Sequence, residues 1–446
     1  MEPEAVSRAT AELRELGVPY VDHRFALNPT ILPRRFAHEA AAAAQAVFAG
    51  MDHLLDGPFG GDVRRMGEFL GFRPREVDLF VRLPLEDWAA VARPDVVLRN
   101  GHPAFVEMNA TCLSGLLAVA DMLTAAQRRL RGNRAVLDER QASAAFGTAR
   151  LAALLTRRLR AAGLRNGIVG VGVWGSVASG GYDYNQTCLV HELRRHGIPA
   201  RLCPIEELDL SGETAVLDGE PVAALYRSFW QPEPSRSDRW ETVTSLLDLA
   251  EQGRLVLLTG FRSELIVSKT CLALLSDERI QDGMSARLRA TINAAVPWTR
   301  LLEERRTRIN GSNHDLIPWM LSHQERLVLK PALGHSGNDV TIGCEVDQRG
   351  WHEAVAAALQ AEQQWIVQEL VAPDLIPLHT LPRPGDPPVR MTPAIYGVFL
   401  LDRRFATAIR RYSGPDRAGL KISAATGAVV APVFWSNRPL PEVCLP

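Results

Sequence analysis

The run Gly167-Ile-Val-Gly-Val-Gly-Val-Trp174 does most to limit what this chain can fold into. It is apolar and rich in valine. A helical pattern over 185–196, a glycine stop at Gly197 and a second apolar run, Ala200-Arg-Leu-Cys203, follow it. Strand, helix and strand in that order make a βαβ-like unit, which calls for a parallel sheet. Apolar runs at 223–229 and 254–258 offer its remaining strands, so a small Rossmann-like α/β subdomain is expected over 165–260. Gly170, Gly172 and Gly175 match the Gly-x-Gly-x-x-Gly spacing of a dinucleotide site. They fall inside the strand, however, whereas that site needs them in the turn opening a helix, so a nicotinamide cofactor is disfavoured. The loop Ser179-Gly180-Gly181-Tyr182 is placed to contact substrate, as strand ends of such sheets often do. The apolar stretch is too short and glycine-broken to span a membrane.

At 446 residues and 46% hydrophobic, the chain is long enough for two or three domains. Its 50 Lys and Arg against 51 Asp and Glu leave a formal charge of -1, so no overall field draws it to nucleic acid or anionic lipid. Cysteines 112, 188, 203, 271, 344 and 444 stand apart without a Cys-x-x-Cys pair, against a zinc ribbon or a disulfide scaffold. Residues 1–16 mix Glu and Arg with apolar positions as an amphipathic helix does. They lack a secretion signal's apolar stretch, and a cytoplasmic protein is expected. Residues 1–90 read as a helical N-terminal lead-in, its alanine-rich stretch 35–51 being too long for a strand. Another helix is expected over 138–162. Beyond residue 261, helices at 269–275 and 352–362 accompany strands at 327–330, 365–368 and 394–401, and the proline-rich segment 373–393 reads as a surface loop. The fold class is α+β.

Three constellations can carry chemistry. In the first, Arg93-Pro94-Asp95 is followed after eleven residues by Glu107-Met108-Asn109. Two short β-like runs between them flank Asn100-Gly101, a hairpin turn signal. Such a hairpin lays Asp95 beside the strand carrying Glu107 and Asn109, which share one face by period-two spacing. Two carboxylates and an amide oxygen are hard ligands suited to magnesium that also keeps waters and phosphates. Arg93 beside them can stabilise charge on a transferring phosphoryl group. Any one of these alone is more commonly a solvent-side residue; the set points to a site.

In the second, Lys330 ends an apolar strand and is followed by a loop with Gly334 and Gly337, a cation and a close-approaching backbone for phosphate. It is not the common P-loop, which needs Gly-x4-Gly-Lys-Ser/Thr. The strand Trp365-Ile-Val-Gln368-Glu369-Leu370-Val371 ends in polar groups that suit an adenine and its ribose, although an edge strand looks alike. The third is Ile409-Arg410-Arg411, either a phosphate or carboxylate clamp or a solvated strand end. No Gly-x-Ser-x-Gly elbow is present, and His191 and His196 read as ordinary polar residues of a helix face.

Together these residues resemble the synthetase domain of the glutathionylspermidine synthase family of ATP-grasp ligases. The family's Arg-x-Asp, eleven residues and Glu-x-Asn is matched at Arg93, Asp95, Glu107 and Asn109. Lys269, in Val-Ser-Lys-Thr-Cys-Leu-Ala-Leu-Leu275, resembles the family's lysine before a run of leucines, and Lys330 to Gly337 its Lys-Pro-x-x-Gly-x-x-Gly. Gln368-Glu369 is similar to the strand end at the adenine, and Ile409-Arg410 to the late Ile-Arg, with Arg411 an alternative. The resemblance implies an ATP-grasp fold with a Rossmann-like pre-ATP-grasp subdomain, and ATP with magnesium, two ions, as cofactors. It implies metal ligands Asp95, Glu107 and Asn109, catalytic Arg93 and Arg410, and ATP contacts at Lys269, Lys330, Gly334, Gly337, Gln368, Glu369, Leu370 and Val371. The expected division is a helical region 1–90, a metal-binding hairpin segment and helix 91–164, the subdomain 165–260 and a nucleotide-binding domain 261–446.

The chain departs from the family at His335-Ser336, where Arg-Glu often stands, and no amidase domain is seen ahead of the synthetase region. The activity expected is that of a carboxylate–amine ligase working through an acyl-phosphate. Its substrates would be small molecules, the amine or carboxylate belonging to an amino acid, a peptide or a polyamine. A small-molecule kinase and a non-catalytic nucleotide-binding protein use the same residues and remain the alternatives.

Overall fold

The computed structural model describes residues 11, 26–82, 90–110, 116–175, 184–229, 237–334, 337, 339–379, 389–414, 419–423 and 427–438. Its largest sheet joins strands from before residue 108 to strands from beyond residue 374. In spatial order it runs Thr30–Pro33, Val429–Ser436, Arg404–Tyr412, Arg390–Leu401, Asp95–Arg99 and His102–Glu107, with Val91–Ala92 and Leu375–Leu378 also paired to Arg390–Leu401. Asn100 and Gly101 have φ of 53° and 79°, the left-handed pair that a two-residue type I′ turn requires, and the strands either side of them form the expected hairpin.

The alanine-rich stretch forms the helix Arg34–Asp56. Phe36, Ala40, Ala44, Val47, Phe48, Met51 and Leu55 recur at three- and four-residue spacing and bury one stripe of it. That stripe shares the main core with Val96, Leu98, Phe105, Tyr396 and Val398 of the large sheet. At ~1.5–3 kcal/mol for each large apolar side chain buried, this helix helps hold the hairpin where it lies.

Ala200–Pro204, Ile168–Val173, Glu220–Arg227 and Val256–Leu258 pair in parallel, as the βαβ pattern predicts, with Val216–Leu217 antiparallel at one side. A Cβ on Gly170 would stand 2.8 Å from Cys203 Cβ, and one on Gly172 would stand 3.0 Å from the Phe229 ring. These glycines admit close packing against the strand, which accounts for the dinucleotide-like spacing without a phosphate turn.

A third, antiparallel sheet is ordered Thr299–Leu301, Trp365–Glu369, Leu327–Pro331, Thr341–Ile342. The helix Gln348–Gln360, capped by Asp347 accepting from Gly350 N, covers one face of it through Trp351 and Val355 against Leu327, Leu329 and Val367. Alternation leaves Val328, Lys330 and Gln368 on the other face.

Two expectations are corrected. The helix read over 138–162 is two helices, Arg131–Glu139 and Gly147–Ala161. Gln141 turns left-handed at φ 48°, and Asp121 accepts from Gly147 N at 3.0 Å and Thr148 N at 2.8 Å, which starts a new helix. Leu, Ala and Arg continue through the break, so periodicity hides it. The segment 373–393 is not wholly loop: Leu375–Leu378 pairs with the start of Arg390–Leu401. Its Pro377 is tolerated because, among the described strands, this one pairs with Arg390–Leu401 alone.

The helix expected at the N-terminus, the 179–182 loop and His335-Ser336 lie outside the described residues, apart from residue 11. Among the described cysteines Cys188, Cys203 and Cys271 are buried and Cys344 exposed, and burial pushes the Cys203 thiol up to about 12. No helix among the described residues is long and apolar enough to cross a membrane.

Candidate functional site

Asp95 and Glu107 are cross-strand partners in the hairpin. Arg93 N donates to Asn109 O at 2.6 Å and so ties the two ends of the motif. On its other side Asp95 is opposite Gly397. A Cβ there would fall 2.9 Å from Arg93 Cδ, so the glycine leaves the channel along which the Arg93 side chain lies. Arg93 Nε stands 3.6 Å from Asp95 Oδ1, and Arg411 Nη2 stands 2.5 Å from Asp95 Oδ2. These side chains are 12, 10 and 8% exposed for Arg93, Asp95 and Arg411, so water screens their charges little. Burial holds the Arg93 guanidinium below its usual range; Asp95 opposes the shift and Arg411 adds to it. Among the described residues, Arg93 Nε, Asp95 Oδ1, Asn109 Nδ2 and Arg411 Nε are buried without a hydrogen-bond partner. Such atoms cost about 1–3 kcal/mol each, so the cluster carries bonding capacity that the fold itself does not use.

Two amines reach the end of the same strand. Lys269, just ahead of the helix Thr270–Ser276, has its Nζ 3.1 Å from Glu107 Oε1 and donates to Gly334 O at 3.0 Å. Its backbone N donates to Ala332 O at 2.9 Å. Lys330 donates to Gln368 Oε1 at 2.7 Å and to Val106 O at 3.3 Å. Burial lowers the Lys330 amine to about 8, with Glu107 opposing the shift and Lys269 adding to it.

The remaining predicted residues are placed as follows. Gly334 supplies the carbonyl that Lys269 holds, and Gly337, at φ 75°, sits where a Cβ would be 3.2 Å from Lys421 Cγ. The Gln368 amide is buried between Lys330 and Thr299 Oγ1, to which Nε2 donates at 3.1 Å. The Glu369 carboxylate accepts from Arg99 Nη2 at 2.7 Å and from Trp298 N at 3.3 Å. The backbone N–H groups of Glu369 and Leu370 donate to Trp298 O and Arg326 O, each at 2.8 Å. Val371 packs with Val97 and Ile395.

Arg410 is opposite Tyr396 across the strands. Its guanidinium donates to the Tyr396 hydroxyl and to Tyr412 OH at 3.4 Å, and lies 4.8 Å from the Tyr396 ring centre. Alternation along the strand turns Arg411, not Arg410, to the face of Asp95. The structure therefore brings Arg93, Asp95, Glu107, Asn109, Lys269, Lys330, Gly334 and Gln368 together, adds Arg411, and keeps Arg410 on the opposite face. Arg99 was missed: it ends the first hairpin strand, and no spacing signal links it to Glu369, 270 positions away.

Asp95, Glu107 and the Asn109 amide suit a small hard cation in kind. Among the described residues no group of three His, Cys, Asp or Glu could hold a metal by themselves, so a cation here would need Asn109, water or phosphate oxygens as well.

No family model and no curated protein matches the chain. A solved structure does: a glutathione synthetase-like effector from Globodera pallida, in its apo form, aligns over 97% of this chain and 96% of its own. The TM-score is 0.63 and the identity 13%. The fold is glutathione synthetase-like. A putative gamma-glutamylcysteine synthetase from Methylobacillus flagellatus KT aligns over 88% of this chain and 86% of its own at TM-score 0.42 and 12% identity, too loosely to argue from. At these identities the likeness speaks for the fold alone.

Proposed function

We propose that this protein is an ATP- and magnesium-dependent carboxylate–amine ligase that joins small molecules through an acyl-phosphate. The observation that carries the reading is the interleaving of two carboxylates, Asp95 and Glu107, with four cations, Arg93, Arg411, Lys269 and Lys330, at one end of the hairpin. A metal-bound polyphosphate presents both signs of charge and needs both sets of partners. The glutathione synthetase-like fold supports the same class of reaction and favours an amino acid or short peptide over a polyamine as substrate.

In this reading Asp95, Glu107 and Asn109 hold magnesium, which when bound neutralises phosphate charge. Lys269 and Lys330 take phosphate oxygens. A substrate carboxylate oxygen bonds to the γ-phosphorus as the bond to ADP breaks, and Arg93 and Arg411 face the charge that develops. The amine nitrogen then bonds to the acyl carbon, phosphate leaves, and the nitrogen loses a proton to give the amide. Removing one such charge-stabilising group should cost ~2.7–4 kcal/mol of barrier, with positioning supplying much of the remainder.

The test is ADP release by the purified protein with ATP and magnesium, against pooled amino acids, short peptides and amines, with products read by mass. Release that needs two substrates, gives a mass equal to their sum minus water and disappears in Asp95→Ala and Lys330→Ala is expected. A stable phosphorylated product formed without an amine would make the protein a kinase instead, and absence of ATP binding would remove the reading.

A further inference from the structure

We infer that Gln368 is a positioning residue: anchored by Thr299, it fixes the Lys330 amine and so governs affinity for the polyphosphate end of the nucleotide, not for its adenine. The inference rests on the ATP reading above and goes beyond it by giving Gln368 a different role from the one its motif implies.

Gln368 is the cross-strand partner of Thr299 on one side and of Val328 on the other. Lys330, two residues from Val328, therefore lies diagonally across from Gln368 on the same face, within reach of a long side chain. Three side chains on three adjacent strands then form one chain of hydrogen bonds. Thr299 Oγ1 donates its single proton to Pro297 O at 2.7 Å, which leaves the oxygen to accept from Gln368 Nε2 at 3.1 Å.

At the other end an ammonium can only donate, so Lys330 needs Gln368 Oε1, which it meets at 2.7 Å. Both ends demand the same orientation of the amide, since a flipped amide would set donor against donor at Lys330 and acceptor against acceptor at Thr299. Thr299 and Gln368 are 0 and 1% exposed, so the Gln368 side chain has no surface to offer an adenine. The other acceptor of Lys330, Val106 O, is farther, at 3.3 Å. Without Gln368 the amine would keep only that longer bond, which ties it to the hairpin.

The experiment measures binding of ATP, inorganic triphosphate and adenosine by calorimetry to the wild-type chain, Gln368→Leu, Gln368→Glu, Thr299→Val, Lys330→Ala and the Gln368→Leu/Lys330→Ala double variant. Gln368→Leu should weaken ATP and triphosphate by the same factor, roughly ten- to a hundredfold, and leave adenosine unchanged. It should have little further effect once Lys330 is gone, a non-additivity that general destabilisation does not produce. Gln368→Glu, which keeps an acceptor for the amine, should restore most of the triphosphate affinity. Thr299→Val, which frees the amide to turn, should lose part of it and serves if Gln368→Leu does not fold.

Loss of adenosine binding with triphosphate unaffected would return Gln368 to the adenine and overturn the inference. Full additivity with Lys330→Ala, or no effect of Gln368→Leu and Thr299→Val, would also overturn it. If the wild-type chain binds neither ATP nor triphosphate, the nucleotide reading itself is at fault.

Discussion

Lys269, buried, and Lys330, half-buried, each hold an ammonium at the site, in different ways. Lys269 has a carboxylate, Glu107, at 3.1 Å, whereas the bonds Lys330 makes are to neutral oxygens of Gln368 and Val106. That difference makes Lys330 the one whose charge is marginal, at about 8. If its charge holds phosphate, ATP affinity should be full below about pH 8 and fall as the amine loses its proton above it, and Lys330→Met should flatten that profile. Stability runs the other way. The unfolded lysine keeps its proton up to 10.5, so between about 8 and 10.5 the unfolded state binds more protons and the free protein gains stability as pH rises. Denaturation midpoints and ATP titrations across about pH 7 to about pH 10 check both signs.

Gly397 makes a second case at this scale. Its missing Cβ leaves room for Arg93 Cδ, with Ile409 Cγ1 closing the other side at 3.2 Å. Gly397→Ala should push the Arg93 stem off Asp95 and cost about 1–3 kcal/mol of stability, with ADP release falling more than denaturation alone explains.

Among the elements, those carried by local chemistry were legible in the sequence and those carried by distant partners were not. Asn100-Gly101 announced its hairpin because only a few residues accept two left-handed φ values in succession. The βαβ unit announced itself by a switch from apolar run to helical period and back. Adjacent Arg410 and Arg411 must face opposite sides of a strand, but which side holds Asp95 depends on register with Arg390–Leu401, and the sequence does not contain that register. The Arg99–Glu369 pair was invisible for the same reason.

The break at 140–146 was hidden because its cap is supplied by Asp121, on the preceding helix Leu116–Arg129. That cap can be tested. Asp121→Ala should orphan Gly147 N and Thr148 N, leave the Thr148 hydroxyl only its contact with His196 Nε2, and lower stability by about 1–3 kcal/mol. The loss should appear in thermal melts, while ATP affinity stays unchanged because the capped helix, Gly147–Ala161, packs chiefly on Leu116–Arg129, Tyr184–Arg195 and strands of the large and parallel sheets. A fall in ATP affinity at temperatures where the fold is intact would show instead that the helix Gly147–Ala161 helps hold the site.

Across the molecule, the parallel sheet is joined to the lysine-bearing segment by one buried guanidinium. Arg227 ends the strand Glu220–Arg227 and is fully buried. Its five N–H donors go to Thr259 O, Phe229 O, Glu264 Oε1, Gly260 O and Ser263 Oγ, at 2.7 to 3.4 Å, and it stacks 4.5 Å from the Phe261 ring centre. Thr259 and Gly260 precede, and the Phe261 ring, Ser263 and Glu264 belong to, the turn and short helix, Phe261–Ser263 and Glu264–Val267, that lead into Lys269. Thr259 is held at φ 63°, a conformation costly for a β-branched residue, and its carbonyl is one of the groups Arg227 fixes.

Arg227→Ala should therefore destabilise by about 3–5 kcal/mol, because the buried Glu264 carboxylate would lose the guanidinium it meets at 2.7 Å. Arg227→Lys should recover little, since an ammonium cannot reproduce the planar fork. Arg227→Met with Glu264→Leu removes both charges and should regain part of the stability, although the carbonyls of Thr259 and Phe229 lose their guanidinium donor. ATP affinity of this double variant, measured where it is fully folded, then decides what the guanidinium does. A drop relative to wild type would mean that it orients Lys269 through the turn, whereas wild-type affinity would confine Arg227 to holding the fold together.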